Sequence, residues 1–289
     1  MPAQIFPFLD KATETFSYIA ADPATKAAAI IDPVLDYDPA SGRIATQSAD
    51  AILNTVAAEG LEIILLLETH VHADHLSAGA YLKKKLGAPA AIGSKVKIVQ
   101  RDLPSFFGAE CRVEPGYGFD HLFEDGETFR IGSLEAKAIV TPGHTPADMT
   151  YIVEDAAFVG DTIFMADYGT ARCDFPGGDA RAMYRSIRRI LELPPRTRLF
   201  MCHDYAPGGR AHECETTVAK ERAENIHVRD GISEDDFAAM RTAKDKTLAT
   251  PRLFFPSLQT NIRGGELPAA EADGRRYFKI PLTAPAGWP

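Results

Sequence analysis

One short stretch constrains the fold more than any other, because an apolar run leads directly into a cluster of metal-binding side chains. Residues 63–67 read Ile-Ile-Leu-Leu-Leu and follow a glycine at position 60. This is typical of a fully buried strand that begins after the end of a helix. The stretch 68–75 then reads Glu-Thr-His-Val-His-Ala-Asp-His. The pattern predicts a polar loop at the carboxyl end of a strand, where open sheets bind their ligands.

The side chains of this loop predict a metal site. They are His70, His72, Asp74 and His75. In an extended turn His70 and His72 share one side, because successive side chains alternate. A single histidine is more often a solvated or hydrogen-bonded residue, but four such groups behind one buried strand favour coordination. Imidazole binds zinc, iron, copper and nickel alike, so the cluster predicts a metal ion without identifying it.

Three more side chains of this kind stand at the ends of predicted strands. His144 follows a strand through a Pro-Gly turn, and Asp161 and His203 each follow another strand directly. If these strands lie side by side, all the loops open on one edge, and Asp161 lies between two metal positions. The remaining histidines lack this setting and are interpreted as ordinary core or surface residues: His121, His212 and His227.

Composition and charge exclude several other classes of protein. The 289 residues are 45% apolar and 25% charged, as in ordinary soluble domains. A net charge of −9 argues against a general nucleic-acid binder. The aliphatic runs are too short to span a bilayer, and residues 1–10 lack the basic start of a signal peptide. We therefore expect a cytoplasmic protein without nucleic-acid or membrane partners.

The four cysteines are expected to be reduced thiols, because none forms a Cys-x-x-Cys pair. They are Cys111, Cys173, Cys202 and Cys214. Cys173 and Cys202 lie close in sequence to suspected site residues, although a free cysteine is often a small buried hydrophobic residue.

The rest of the chain predicts mixed strands and helices. Strands are predicted over residues 5–9, 16–20, 27–31, 90–92, 149–153, 156–160 and 199–202, with a hairpin within 122–140 and a loop at 36–43. Helices are predicted over residues 49–59, capped by Ser48, and over 76–86, 179–192, 216–228 and 234–248. The region from 251 to 289 is rich in proline and glycine and predicts an irregular extension.

The site motifs resemble those of the metallo-beta-lactamase superfamily. The match is Thr69-His70-x-His72-x-Asp74-His75, then Gly143-His144-Thr145, Gly160-Asp161-Thr162 and His203, in the family's order. The resemblance implies an α+β fold, an αββα sandwich of two mixed sheets flanked by helices, with metals at one edge. We expect a catalytic core over residues 1–207 and a helical and irregular carboxyl-terminal extension over 208–289 that packs on it.

A dinuclear zinc hydrolase is one reaction class that this superfamily implies. A glyoxalase II-like thioesterase or a lactonase would hold two zinc ions and activate a shared water. Its first ion would be bound by His70, His72 and His144. Its second ion would be bound by Asp74, His75 and His203, with Asp161 between the two. Every residue that such an enzyme needs is present.

Finer features resemble the persulfide dioxygenase (sulfur dioxygenase) family, in its bacterial branch with a longer carboxyl-terminal extension. They are the loop 169–175, the run His203-Asp204-Tyr205 and the segment 259–268. The resemblance implies one iron(II) bound by His70, His144 and Asp161. It also implies oxidation of glutathione persulfide by dioxygen to sulfite and glutathione. Residues 171–174 read Ala-Arg-Cys-Asp where relatives often have Gly-Arg-Thr-Asp, which affects the expected shape of the pocket.

The same resemblance leads to predicted roles around the iron. The predicted catalytic residues are His72, Asp74 and Tyr205, with Tyr205 donating a hydrogen bond to a bound species. Residues expected to support the ligands from behind are His75, His203 and Asp174. The candidates for binding glutathione carboxylates are Arg172, Arg252 and Arg263. For each of these residues the alternative is a structural salt bridge or an ordinary surface position.

We also expect a homo-oligomer, with residues 180–191 as a candidate interface. A non-catalytic metal-binding module remains as a third hypothesis.

Overall fold

The computed structural model describes residues 2–102, 107–108 and 112–283. The described strands are β1 Gln4–Asp10, β2 Thr15–Ala21, β3 Ala27–Ile31, β4 Val34–Asp38, β5 Arg43–Ala45, β6 Glu62–Leu67, β7 Leu76–Ser77, β8 Ala90–Gly93, β9 His121–Phe123, β10 Thr128–Ile131, β11 Leu134–Val140, β12 Met149–Val153, β13 Ala156–Phe158, β14 Arg198–Phe200 and β15 Glu215–Thr217. The described helices are α1 Gln47–Glu59, α2 Gly79–Leu86, α3 Val96–Asp102, α4 Ala180–Leu191, α5 Val218–Glu224, α6 Glu234–Asp245 and α7 Phe254–Asn261.

The strands form two large sheets and one small one. The first large sheet has the order β1-β2-β3-β6-β8-β9, and the second has the order β10-β11-β12-β13-β14-β15. Both are mixed: β3, β6, β8 and β9 pair in parallel, as do β13 and β14, whereas the other neighbours are antiparallel. The small sheet has the order β5-β4-β7.

Apolar side chains form three layers that fix this architecture. Between the sheets, the Tyr18 ring lies 5.3 Å from the Phe158 ring and 5.5 Å from the Phe200 ring, centroid to centroid. On the outer side of the first sheet, α1 and α2 bury one face, and on the outer side of the second sheet α4 and α6 do the same. Because each sheet is covered on both faces, the predicted αββα sandwich is confirmed.

Local predictions differ from the structure around the first helix. Residues 36–43 were expected to be a loop, but β4 and β5 form a hairpin there. The helix begins one residue before Ser48, so Ser48 does not cap it. Its hydroxyl donates instead to Asp36, at 2.7 Å. Gly60 ends the helix in the left-handed conformation, as predicted, with φ 65°. The helix expected at 76–86 begins only at Gly79, since Leu76–Ser77 pairs with β4.

The carboxyl-terminal extension is more regular than its composition predicted. Residues 216–228 were expected to be one helix, but Glu215–Thr217 completes the second sheet before α5 begins. The region after 251 was expected to be irregular and contains α7. Pro256 does not prevent this helix, because it is the third residue, where a backbone N–H has no partner within the helix. Residues 284–289 of the predicted extension lie outside the described residues.

Two further expectations concern surfaces and thiols. The arginines of α4 pair with acidic residues of the same chain, among them Arg185 with Glu234 and Arg188 with Asp230. This helix therefore packs against α6 as well as facing solvent.

The described cysteines are free thiols, as predicted: Cys173, Cys202 and Cys214. Cys111 lies outside the described residues. Within the described ranges no helix has the length and apolar character that crossing a bilayer requires.

Candidate metal centre

The candidate metal-binding side chains lie in loops that follow five strands at one edge of the packed sheets. Asp32 follows β3, the 68–75 stretch follows β6, His144 follows β11, Asp161 follows β13 and His203 follows β14. Because the sheets pack face to face, these loops meet and bring several donor atoms within 4.8 Å of one another. The predicted placement of these side chains at strand ends is confirmed.

The first donor group consists of His70, His144 and Asp161, all buried. Asp161 Oδ2 lies 3.9 Å from His70 Nε2 and 3.6 Å from His144 Nε2. Among the described residues, neither His70 Nε2 nor Asp161 Oδ1 has a hydrogen-bond partner. Buried polar atoms without partners are costly, and two imidazoles with one carboxylate suit a transition-metal ion. These residues therefore fit a metal ion.

Hydrogen bonds fix the tautomers of both imidazoles in the first donor group. His144 Nδ1 lies 2.8 Å from the carbonyl oxygen of Arg172, which can only accept, so Nδ1 donates. The Thr69 hydroxyl donates to Asp32 at 2.8 Å and lies 3.0 Å from His70 Nδ1, so it accepts from that nitrogen. Burial and the neighbouring imidazoles lower the pKa of His70 well below its usual value. Both Nε2 lone pairs are thus available to a metal.

His72 is held differently, between two buried carboxylates. Its Nε2 lies 3.1 Å from Asp32 Oδ1 and 3.5 Å from Glu68 Oε2, at ion-pair distance but without hydrogen-bond geometry. Burial lowers the pKa of His72, but Asp32, Cys202 and Glu68 together raise it well above its usual value. The imidazole therefore lies in the negative field of Asp32 and Glu68. Its Nδ1 has no partner among the described residues.

The second donor group consists of Asp74, His75 and His203. His203 Nε2 lies 3.1 Å from Asp74 Oδ2 and 3.4 Å from Asp161 Oδ1. Asp161 therefore faces the first group with one oxygen and the second group with the other. Burial lowers the pKa of His75 to about 4. The pKa of His203 is raised well above its usual value, because Asp74 and Asp161 outweigh burial. The Cys202 thiol lies beside both groups and is buried.

A cavity of about 340 Å³ opens onto the two donor groups. Asp74, His144 and Asp161 are among the residues that line it. Its wall is aromatic. The Tyr205 ring stacks on the His203 ring at a centroid distance of 5.7 Å and packs at a tilt against the Tyr168 ring, 4.6 Å away. Burial raises the pKa of Tyr205, so its hydroxyl keeps its proton and can donate a hydrogen bond into the cavity.

The predicted carboxylate-binding arginines have different surroundings. Arg172 and Arg252 line the cavity, but the Arg172 guanidinium already pairs with both oxygens of Asp174, at 2.6 and 2.7 Å. Asp174 therefore contacts this arginine, and it is the Arg172 carbonyl that orients the His144 imidazole. Arg263 lines a separate groove and donates to the carbonyl of Gln259 at 2.5 Å. The structure does not bring Arg263 to this cavity.

Two residues that the sequence interpretation missed contribute to the site. Asp32 bonds Thr69 and contacts His72, and its φ of 48° is uncommon outside glycine. Asp32 follows a buried strand, as the other site residues do, and this position could have identified it from the sequence.

Lys244 is the second of these residues and lines the cavity, with its ammonium 5.4 Å from the centre of the Tyr168 ring. No carboxylate lies within ion-pair distance of it in the part of the chain that is described. No feature of the sequence around Lys244 would have identified it as a residue of the site.

The fold and the two donor groups define a metal-binding αββα protein with its site at the shared edge of two sheets. The chain belongs to the metallo-beta-lactamase superfamily, whose family model matches residues 12–203.

Relatives within this superfamily have several names. A probable metallo-hydrolase of Burkholderia pseudomallei is 55% identical over 96% of this chain and 98% of its own. Glyoxylase B2 of Dictyostelium discoideum is 46% identical over 96% of each chain. The human mitochondrial persulfide dioxygenase ETHE1 is 29% identical over 66% of this chain and 64% of its own. The crystal structure of ETHE1 from Myxococcus xanthus superposes with a TM-score of 0.73, at 27% identity, covering 91% of this chain and all of that one.

Proposed function

We propose that this protein oxidises glutathione persulfide with dioxygen, using one iron(II) bound by His70, His144 and Asp161. The observation that carries the proposal is the first donor group, in which the tautomers of both imidazoles are fixed and one carboxylate faces them. Two histidines and one carboxylate on one face of an iron leave open positions, as in non-haem oxygenases. The likeness to persulfide dioxygenases supports the same assignment.

In the proposed one-iron site, the remaining histidines lie against carboxylates of the chain itself. His72 Nε2 lies 3.1 Å from Asp32 Oδ1, and His203 Nε2 lies 3.1 Å from Asp74 Oδ2. These contacts hold both imidazoles in place behind the three proposed ligands.

The chain's own residues account for substrate handling. Iron(II) held by His70, His144 and Asp161 would supply the redox chemistry that lets dioxygen react with the terminal sulfur. Tyr205 presents a protonated hydroxyl to the cavity that holds the reacting sulfur, and its aromatic neighbours exclude water from that end. Lys244 and Arg252 supply positive charge at the outer part of the cavity for the glutathione carboxylates. One persulfide, one dioxygen and one water give one thiol, one sulfite and two protons.

A dinuclear zinc hydrolase is the second candidate, and the second donor group favours it. Asp74, His75 and His203 lie within 4.8 Å of one another, and Asp161 reaches both groups. The relatives named metallo-hydrolase and glyoxylase support this reading. In this case two zinc ions held by these residues would supply an activated water for the hydrolysis of a thioester such as S-lactoylglutathione.

The two candidates differ in metal content and in oxygen uptake. We expect protein isolated without added metal to contain one iron per chain, and to consume one dioxygen for each sulfite formed from glutathione persulfide. Glutathione disulfide, which has no terminal sulfur, is the matched control and should give no uptake. Two zinc ions per chain with hydrolysis of S-lactoylglutathione, and no oxygen uptake, would contradict the dioxygenase proposal.

Lys244 offers a test of how the substrate is held. We expect Lys244→Met to raise KM for glutathione persulfide about tenfold with kcat unchanged, since a hydrogen bond to a charged group contributes about 1.5 kcal/mol or more. Cysteamine persulfide, which lacks carboxylates, should show no change. The control is Lys246→Met, which removes an exposed lysine of the same helix end outside the cavity. Equal KM changes for both substrates would contradict this role.

A further inference from the structure

The geometry points to Asn261 as a positioning residue that holds the metal-binding loop from outside the region that the family model covers. Asn261 is the last residue of α7 and is 4% exposed. Its Oδ1 accepts from the Ser77 backbone N–H at 2.7 Å. Its Nδ2 donates to the backbone carbonyls of His72 and His75, both at 2.8 Å. One side chain thus fixes three backbone groups in and just after the 68–75 stretch.

These backbone groups depend on the Asn261 amide. Among the described residues, no other hydrogen bond reaches the carbonyl oxygen of His72 or that of His75. Glu68 and Thr69 still have backbone partners, Ala91 and Met149, but residues 70–75 are neither helix nor strand and make no backbone–backbone hydrogen bond among the described residues. The side chain at position 261 must donate two hydrogen bonds and accept one. An amide can do both, whereas a carboxylate can only accept.

The position of Asn261 is itself fixed by packing. Leu258 and Ile262, on either side of it, pack in one apolar cluster with Val71 and Ala73 of the loop. The turn that follows passes so close to the chain that a Cβ on Gly265 would lie 2.8 Å from the carbonyl oxygen of Ser77. Gln100 secures the same turn by donating to the Ile262 carbonyl at 2.8 Å.

By fixing these backbone groups, Asn261 sets the directions in which the metal-binding side chains point. The two carbonyls that Asn261 binds belong to residues on either side of Asp74, within the H-x-H-x-D-H motif. A change in these peptide planes would rotate His72 and His75 and shift His70, which lies two residues earlier. The inference holds for iron or for zinc, so it does not depend on the proposed reaction. It assigns to the carboxyl-terminal extension a direct part in shaping the metal site.

The test compares Asn261→Ala with Ser257→Ala in the full-length protein. Ser257 lies in the same helix and is fully buried, but its hydroxyl has no partner among the described residues, so its loss should change nothing at the site. We expect Asn261→Ala to weaken iron(II) binding about 10–100-fold, as is typical when support behind metal ligands is removed. Chelator competition with iron(II), and separately with zinc(II), measures the affinity.

A spectroscopic measurement separates positioning from stability alone. The EPR spectrum of the nitric oxide adduct of the iron(II) protein reports ligand geometry, and we expect its rhombic splitting to change in Asn261→Ala and to stay unchanged in Ser257→Ala. If Asn261→Ala does not fold, Asn261→Asp keeps the bond from Ser77 and should weaken metal binding similarly, because both donors are lost. Unchanged metal affinity and an unchanged spectrum in a folded Asn261 variant, with only a lower melting temperature, would overturn the inference.

Discussion

Asp161→Ala is expected to yield a folded protein that retains no iron and oxidises glutathione persulfide at least about a thousandfold more slowly. Asp161 is the carboxylate of the first donor group, and its Oδ2 faces the Nε2 atoms of both His70 and His144. Losing support behind a ligand costs about 10–100-fold in metal affinity, and losing the ligand itself should cost more. Metal analysis of the purified protein and an oxygen electrode measure the two effects.

The matched control for this change is Asp174→Ala. Asp174 is also an aspartate near the cavity, but its carboxylate pairs with Arg172, so the iron content should remain at one per chain. His203→Gln adds the discriminating measurement between the two proposed functions. With one iron ion the variant keeps its metal, whereas with two zinc ions it loses the second one, because His203 belongs to the second donor group. An Asp161→Ala protein that keeps its iron would contradict the proposed ligand set.

The sequence predicted the arrangement of the site well because strand ends are local features. The apolar run before His70 and the strands before His144, Asp161 and His203 each placed a donor without any knowledge of the pairing between strands. The superfamily motifs then indicated that these strand ends meet. What the sequence left open is which carboxylates lie against each histidine, such as Asp32 and Glu68 beside His72. Those contacts depend on the pairing of β3 with β6, which no local pattern shows.

The contributions of the extension were not predictable in the same way. Asn261 contacts residues 189 and 186 positions earlier in the chain, and no local pattern encodes such a contact. Pro256 also concealed the helix that carries Asn261, because proline within a short apolar run suggests a break unless it falls in the first turn. For Arg172 the alternative of a structural salt bridge was visible in the sequence, since Asp174 is only two residues away, and the structure pairs the two side chains.

Arg241→Met is expected to lower the free energy of unfolding by about 3–5 kcal/mol, the usual cost of breaking a buried ion pair. Arg241 is 1% exposed and binds Asp245 Oδ1 through Nε and Nη2, at 2.8 and 2.7 Å. It also donates to the Thr170 carbonyl at 3.1 Å, and Asp245 accepts from the Cys173 backbone N–H at 2.9 Å. Removing the guanidinium leaves a buried carboxylate without its cation and releases the loop at 170–173.

Urea unfolding of three variants tests this account of how α6 holds the cavity wall. In Arg241→Met/Asp245→Leu the carboxylate is removed as well, so much of the lost stability should return. Asp235→Asn lies in the same helix and breaks an exposed pair with Arg181, and its urea midpoint should stay close to that of the unmodified protein. A loss below about 1 kcal/mol in Arg241→Met would show that the pair is not needed. Arg241 and Asp245 hold the loop that contains the Arg172 carbonyl, and this carbonyl orients His144. A loss of stability in the expected range, together with a raised KM for glutathione persulfide, would therefore mean that the extension both stabilises the fold and shapes the substrate cavity.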